Sequence, residues 1–164
     1  MPTQKKLSAE DYERLKTFFV CYLDWFIPAH EKSQNPEHHP LIFLKNLETT
    51  SLANAKNGLQ MTVNDTVEAT ANWTPEAVAD ADAKFSTAGT FTLSEVRRRY
   101  SKKYLQILKR GVILSETEYY LLKGIRDGAS IETGATEGQQ VEAMLAAFEE
   151  KINNCVNKYP ESVI

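Results

Sequence analysis

The sequence predicts an all-α protein, a compact single-domain bundle of about six helices over residues 1–164. Apolar residues recur at intervals of three and four along most of the chain, which is the period of an amphipathic helix. Helix start signals stand immediately before these stretches. Only residues 111–114 resemble a strand, and one such short run builds no sheet. With 164 residues, the chain is long enough to bury most of its apolar surface in one domain.

Four segments begin with a capping box, in which a hydroxyl residue is followed three positions later by an acid or Gln. The hydroxyl accepts from a free backbone N–H of the first turn, and the later side chain reaches back to the cap. The boxes are Ser8 with Asp11, Thr92 with Glu95, Ser115 with Glu118, and Thr136 with Gln139. Three boxes add an apolar pair across the cap: Leu7 with Tyr12, Phe91 with Val96, and Leu114 with Tyr119. A fifth start places Thr74 before Pro75.

The apolar stripes and the stop signals at Pro and Gly set the helix bounds. We predict helices over 9–26, 40–67, 75–85, 93–110, 116–126 and 137–157. The second is weakest at residues 49–51, where a break or kink is expected. Residues 29–39 and 129–135 are polar connecting loops, and residues 1–6 and 160–164 are expected to be frayed.

We expect no targeting segment in this sequence. Its first residues are polar, and no stretch approaches the roughly 18 to 20 apolar residues of a membrane span. Cys21 and Cys155 both lie on apolar stripes, so we expect two buried, reduced thiols. These features predict a cytoplasmic protein.

The predicted helix 93–110 is the most informative segment for function. Residues 94–110 hold seven cations and one acid, in a chain whose net charge is −3. Placed on a helical wheel, six of the cations lie opposite the apolar stripe: Arg98, Arg99, Lys102, Lys103, Lys109 and Arg110. An ordinary solvated helix face accounts for this pattern, and so does a docking surface for an acidic protein or a polyanion.

The leading prediction is a non-enzymatic protein–protein interaction domain, with a role such as that of an immunity protein, an antitoxin or an adaptor. The six cations would steer an acidic partner, and Tyr119 or Tyr120 would be the apolar anchor. The alternative is sequence-nonspecific nucleic-acid binding through the same basic helix. Helices 93–110 and 116–126 have the outline of a helix-turn-helix, but the second begins with Glu116 and Glu118, which would face phosphates.

A third hypothesis is an enzyme or small-molecule binder with its site in the bundle core. No P-loop, HExxH, CxxC or nucleophile elbow occurs, so we predict no catalytic residue and no cofactor. Asp65 and Glu68 lie one turn apart and would form a structural ion pair with Arg97 if they face inward.

Three histidines and two acids lie close together in the first polar loop. Histidine and carboxylate side chains ligate zinc, so this cluster is a candidate metal site. Its members are His30, Glu31, Glu37, His38 and His39. Because they lie in or beside a loop that contains Pro36, without the spacing of a known motif, we interpret them as a solvated loop and predict no metal.

Overall fold

The computed structural model describes residues 6–28, 39–129 and 136–158. In this part of the chain there are eight α-helices and no strand, which confirms the all-α class. The helices are α1 (Ala9–Phe26), α2 (Pro40–Thr50), α3 (Leu52–Ala69), α4 (Pro75–Thr87), α5 (Leu93–Tyr100), α6 (Lys102–Arg110), α7 (Glu116–Gly128) and α8 (Thr136–Lys158). No helix in the described ranges has the length and apolar character needed to cross a membrane. The fraying expected at the two termini lies outside the described residues, apart from Lys6.

The helix count exceeds the predicted six because a single serine interrupts each of two predicted helices. Ser51 has an extended backbone between α2 and α3, and its Oγ accepts from the Asn54 N–H at 3.3 Å. This break falls in the weak stretch that the sequence indicates. Ser101, with φ −67° and ψ 113°, ends α5 and directly precedes α6. The prediction of one continuous helix over 93–110 is therefore wrong.

Charge repulsion and the preference of serine for helix starts both favour a break at Ser101. In a continuous helix, Arg98 would lie one turn from Lys102, and Arg99 one turn from Lys103. Like charges four residues apart destabilise a helix by about 0.2–0.5 kcal/mol per pair. Serine also favours helix starts over helix interiors. Both effects favour a new start at residue 102.

Four of the predicted helix starts are confirmed in atomic detail. In each, a side-chain oxygen accepts from a backbone N–H three residues later, at 3.1 to 3.3 Å. The capping residues are Ser8, Thr74, Thr92 and Ser115. Thr136 is the first residue of α8, and the residues before it lie outside the described ranges.

The helices belong to two compact units, each with its own core. Among the described residues, the N-terminal unit consists of 6–28 and 39–101, and the C-terminal unit consists of 102–129 and 136–158. That the chain is a single domain stays a prediction. In the N-terminal unit, the Phe18 and Phe85 rings lie 4.5 Å apart in a core to which α1 to α5 all contribute.

The C-terminal unit is built from α6, α7 and α8. Its most deeply buried side chains are Tyr104, Ile107, Leu122, Ile125, Val141 and Leu145. The Tyr104 hydroxyl donates to Glu137 at 2.8 Å, and the Gln140 side chain donates to the Leu108 carbonyl at 2.6 Å. These bonds fasten α6 to the first turns of α8.

A buried arginine caps the C-terminal end of α3. Arg97 is 7% exposed, and its guanidinium donates to the carbonyl and hydroxyl oxygens of Thr70, the C-cap residue of α3. Burial lowers the pKa of Arg97, and the nearby Asp82 carboxylate opposes that effect. Asp65 and Glu68 are both exposed on α3, so the condition for their pairing with Arg97, that they face inward, is not met. The buried residues of α3 are four apolar ones and two uncharged polar ones: Ala55, Leu59, Val63, Val67, Asn64 and Thr66.

Replacing Arg97 with Met is expected to destabilise the N-terminal unit by about 2–3 kcal/mol, because the Thr70 carbonyl loses a charged donor. The control is Arg98→Met, where the guanidinium lies 3.6 Å from Glu95 in a partly exposed pair, and a loss below about 0.5 kcal/mol is expected. Both tryptophans belong to the N-terminal unit, so urea unfolding followed by tryptophan fluorescence measures it. Equal losses in the two variants would contradict the capping role.

Glu48 joins α2 to α1 through two hydrogen bonds. Its Oε1 accepts from Lys16 Nζ at 2.7 Å and from the Tyr12 hydroxyl at 2.6 Å. Both hydrogen bonds lower the pKa of Glu48, and the bond from Lys16 has the larger effect. Burial is the main reason that the pKa of Tyr12 is raised, and Glu48 adds to it.

The Glu48→Gln variant is expected to lose about 0.5–1 kcal/mol of unfolding free energy at pH 7, where wild-type Glu48 is ionised in both states. Because the folded pKa is depressed, this stabilisation is present above the unfolded pKa of about 4.3 and disappears as pH falls through the folded pKa. Urea unfolding of both proteins from pH 7 down to about pH 3 measures the difference. A difference that stays constant over this range would show that the charge of Glu48 contributes nothing.

Candidate functional site

The predicted basic face is divided between α5 and α6. Arg98 and Arg99 lie in α5, and each has a guanidinium nitrogen 3.6 Å from a carboxylate oxygen of Glu95. Arg99 also lies 4.0 Å from Asp11, and its guanidinium stands 4.9 Å from the centre of the Phe91 ring. These two arginines are therefore engaged inside the N-terminal unit.

The other four cations make up an exposed surface of α6. Tyr104, Ile107 and Leu108 are buried on the inner side of this helix, and Lys102–Arg110 contains no acidic residue. We call the exposed cations the α6 basic face: Lys102, Lys103, Lys109 and Arg110. Helical periodicity brings these four cations to one side of α6, because residues three, four or seven positions apart lie on the same side of a helix.

Two apolar side chains are exposed directly beyond the α6 basic face. Gly111, whose φ of 78° favours glycine, ends α6 and turns the chain toward α7. Burial then alternates, as it does along an extended segment. Ile113 points into the core, whereas Val112 and Leu114 are 47% and 64% exposed. We call Gly111–Ser115 the α6–α7 corner.

The buried carboxylate of Glu118 fixes the α6–α7 corner. Its Oε2 accepts from the Leu114 N–H at 2.9 Å and from the guanidinium of Arg110. Arg110 also donates to the Val112 carbonyl, from Nε at 3.0 Å and from Nη2 at 2.9 Å. Glu118 itself is anchored at the helix start, where its N–H donates to Ser115 Oγ. The corner is therefore held by hydrogen bonds from both adjoining helices.

The capping pattern alone does not predict this arrangement. Glu118 was expected to reach back to its cap residue, but it accepts from the residue before the cap and from the end of α6. The predicted packing of Leu114 on Tyr119 is wrong, because Leu114 is largely exposed. One available signal is the eight-residue separation of Arg110 and Glu118 across a glycine turn.

The predicted anchors Tyr119 and Tyr120 lie in α7, and the Tyr119 side chain packs on α8. Tyr119 stacks on Phe148 of α8 with ring centres 5.3 Å apart, and its hydroxyl donates to Glu149 at 2.5 Å. That hydrogen bond raises the pKa of Tyr119. Tyr120 is 61% exposed and meets the Tyr119 ring edge-on. These contacts involve α7 and α8 and no residue of the α6 basic face, so anchoring by either tyrosine stays a prediction.

The histidine cluster falls largely outside the described residues, which include neither His30 nor His38. His39 caps α2, and its Nδ1 accepts from the Leu41 N–H at 3.2 Å. Within the described ranges, no group of three or more His, Cys, Asp or Glu residues is placed to hold a metal ion. Cys21 is a half-buried free thiol, and Cys155 is exposed, so the predicted burial of Cys155 is wrong.

Replacing Glu118 with Gln removes the charge that Arg110 contacts, and it is expected to loosen the α6–α7 corner. A loss of about 1.4 kcal/mol, within the range for a hydrogen bond to a charged group, corresponds to tenfold faster local opening. Amide hydrogen exchange at Leu114, measured by NMR, reports this opening. The control is Glu116→Gln, an exposed acid in the same turn that is expected to leave the exchange rate unchanged. Equal rates in wild type and Glu118→Gln would contradict the role of Glu118.

Comparison of the chain with protein-family models, with curated proteins and with solved structures finds no match. The proposed function is therefore based on the surface chemistry of the chain itself.

Proposed function

We propose that the C-terminal unit binds another protein through the α6 basic face and the α6–α7 corner. The observation that carries this proposal is that the exposed Val112 and Leu114 directly follow the cations Lys109 and Arg110. Protein interfaces typically have an apolar centre and a polar rim. The partner then offers an apolar recess for the corner, with acidic groups around it.

The hydrogen bonds of the corner favour binding because they hold Val112 and Leu114 in place before the partner arrives. Glu118 contacts both Arg110 and the Leu114 backbone, and Ile113 is anchored in the core. A segment that is already ordered loses less conformational entropy on association. Exposed side chains on a turn that is held by hydrogen bonds are thus better suited to form the centre of an interface than side chains on an unordered loop.

The charges of the α6 basic face supply steering and partner choice. Lys103 and Lys109 are exposed on a helix without acidic residues, so their field is not cancelled within α6. Charges at the rim of an interface mainly raise the association rate and reject partners of the same charge. We therefore propose an acidic protein surface as the partner, in a non-enzymatic role such as that of an immunity protein, an antitoxin or an adaptor.

The apolar corner favours a protein over a nucleic acid as the partner. Contacts to phosphates are made by cations and hydrogen-bond donors, and Val112 and Leu114 offer neither. The first turn of α7, immediately after the corner, carries Glu116, which would repel a phosphate backbone. A nucleic acid would use the lysines of α6 but would leave the corner unused.

The double variant Val112→Ser/Leu114→Ser tests the proposal directly. It removes the apolar centre and retains every charge, so we expect at least a tenfold loss of partner binding with little loss of stability. The matched control is Leu52→Ser/Met61→Ser in the N-terminal unit, where the exposed fractions are 53% and 63%. Affinity capture from host lysate, with nuclease present, compares the two variants with wild type.

Charge reversal provides the second comparison in the same experiment. Lys103→Glu/Lys109→Glu should weaken capture, whereas Lys6→Glu/Lys45→Glu, at exposed positions in the N-terminal unit, should not. If the captured material disappears with nuclease and the corner variant binds as wild type does, the surface binds nucleic acid and the proposal is wrong.

A further inference from the structure

The apolar stripe of α8 continues beyond the core of the C-terminal unit. Met144 and Leu145 are buried in that core, and Phe148 is half-buried at its edge. Farther along the same stripe, Ile152 and Val156 are 40% and 64% exposed, and Cys155 is exposed as well. All side chains from Glu149 to Lys158 are exposed, and we call this segment the α8 overhang.

The length of α7 explains why the stripe becomes exposed. Tyr119 lies against Phe148, and Arg126 lies 3.5 Å from Glu142, so α7 and α8 are antiparallel. Since α7 begins at Glu116, its first turn is about level with residue 152. The α8 overhang continues for roughly 9 Å past that level, at about 1.5 Å per residue.

The composition of the α8 overhang indicates that its helix is intrinsically weak. Three of its ten residues are Asn, and Ile152 and Val156 are β-branched, all of which have lower helix propensity than Ala or Leu. Most of the stability of a helix in a protein comes from packing of its apolar face, and the exposed end of α8 has little such packing. A partner that covers the stripe would therefore stabilise this end of α8.

The stripe has the spacing of a two-helix seam and one cationic edge. Phe148, Ile152 and Cys155 follow the alternating spacing of four and three residues that coiled coils use. Lys151 and Lys158 lie seven residues apart, on the same edge of this seam, and both are exposed. A shallow groove on the same side of α8 is lined by both lysines and by Ala147, Glu150, Asn154 and Cys155.

We propose that the α8 overhang docks an amphipathic helix from a different protein, one that carries acidic residues along the edge that meets Lys151 and Lys158. Charged residues beside the seam set partner choice in coiled coils. Acidic residues spaced seven apart on the partner would pair with both lysines at once. The residues of the α8 overhang differ from those of the α6–α7 corner, so different substitutions test the two proposals.

A second copy of the chain fits this surface less well. In an antiparallel pair of copies the same edges meet, which places Lys151 opposite Lys158 of the other copy, and like charges destabilise such contacts. In a parallel pair, Lys151 of one copy lies opposite Val156 of the other copy, and valine carries no charge to pair with the lysine. The distribution of charge therefore favours a heterologous helix.

Two synthetic three-heptad peptides with the same apolar seam test the proposal, one with Glu and the other with Lys at every position beside the seam. We expect the full-length protein to bind the Glu peptide at least tenfold more tightly in fluorescence anisotropy. The variant Lys151→Glu/Lys158→Glu should reverse that preference, whereas Lys6→Glu/Lys45→Glu should retain it.

Ile152→Ser should abolish binding of the Glu peptide, and Met61→Ser, at an exposed apolar residue of α3, should leave it unchanged. The corner variant Val112→Ser/Leu114→Ser should also bind the peptide normally, which separates this proposal from the proposed function. Equal binding of the two peptides, or binding that Ile152→Ser does not affect, would overturn it. Sedimentation equilibrium provides a further check. A dimer of the wild type that Ile152→Ser dissociates would also overturn the proposal, because a second copy of the chain would then cover the α8 overhang.

Discussion

The surface of the C-terminal unit depends on the buried carboxylate of Glu118. Glu118 is 8% exposed, and burying a carboxylate is costly unless it is hydrogen-bonded; here its Oε2 accepts from the Arg110 guanidinium and from the Leu114 N–H. The two donors come from the end of α6 and from the corner, so one side chain of α7 fixes both. Side chains alternate in direction along an extended segment, so the burial of Ile113 in the core leaves Val112 and Leu114 exposed.

The cations of residues 97–110 have three different structural roles. Arg97 is buried and caps α3, while Arg98 and Arg99 are engaged by Glu95 near the end of α5. The four cations of α6 lie on the exposed side of a helix that packs through Tyr104 and Ile107. A run of like charge in the sequence is therefore divided by the fold into a cap, surface ion pairs and an exposed cationic face.

The sequence was sufficient for the fold class and for most helix starts, because capping and helical periodicity act over a few neighbouring residues. The sequence did not predict the break at Ser101. The apolar residues keep the same spacing on both sides of this residue, so periodicity alone does not detect that the helix ends there. Cys155 shows the other limit. Its position on a stripe indicates the face of α8 to which it belongs, but its burial depends on where α7 begins in space.

The candidate site was predicted only in part, because one half of it depends on local spacing and the other half on a contact between two helices. The cations of α6 were identified from their helical spacing, whereas the corner depends on a contact between Arg110 and Glu118 that links two helices. The exposure of Leu114 follows from that contact and from the burial of Ile113. Neither follows from the local pattern, which predicts that Leu114 packs on Tyr119.

The most direct test of the central claim is the salt dependence of binding to the captured partner. Contacts to nucleic-acid phosphates release counterions, so the logarithm of the affinity falls with the logarithm of salt concentration by about 0.9 for each neutralised phosphate of duplex DNA. If the corner is the centre of a protein interface, we expect a slope shallower than about −1, with the charges acting mainly on the association rate. A slope of about −3 or steeper, as three or four phosphate contacts would give, would contradict the account.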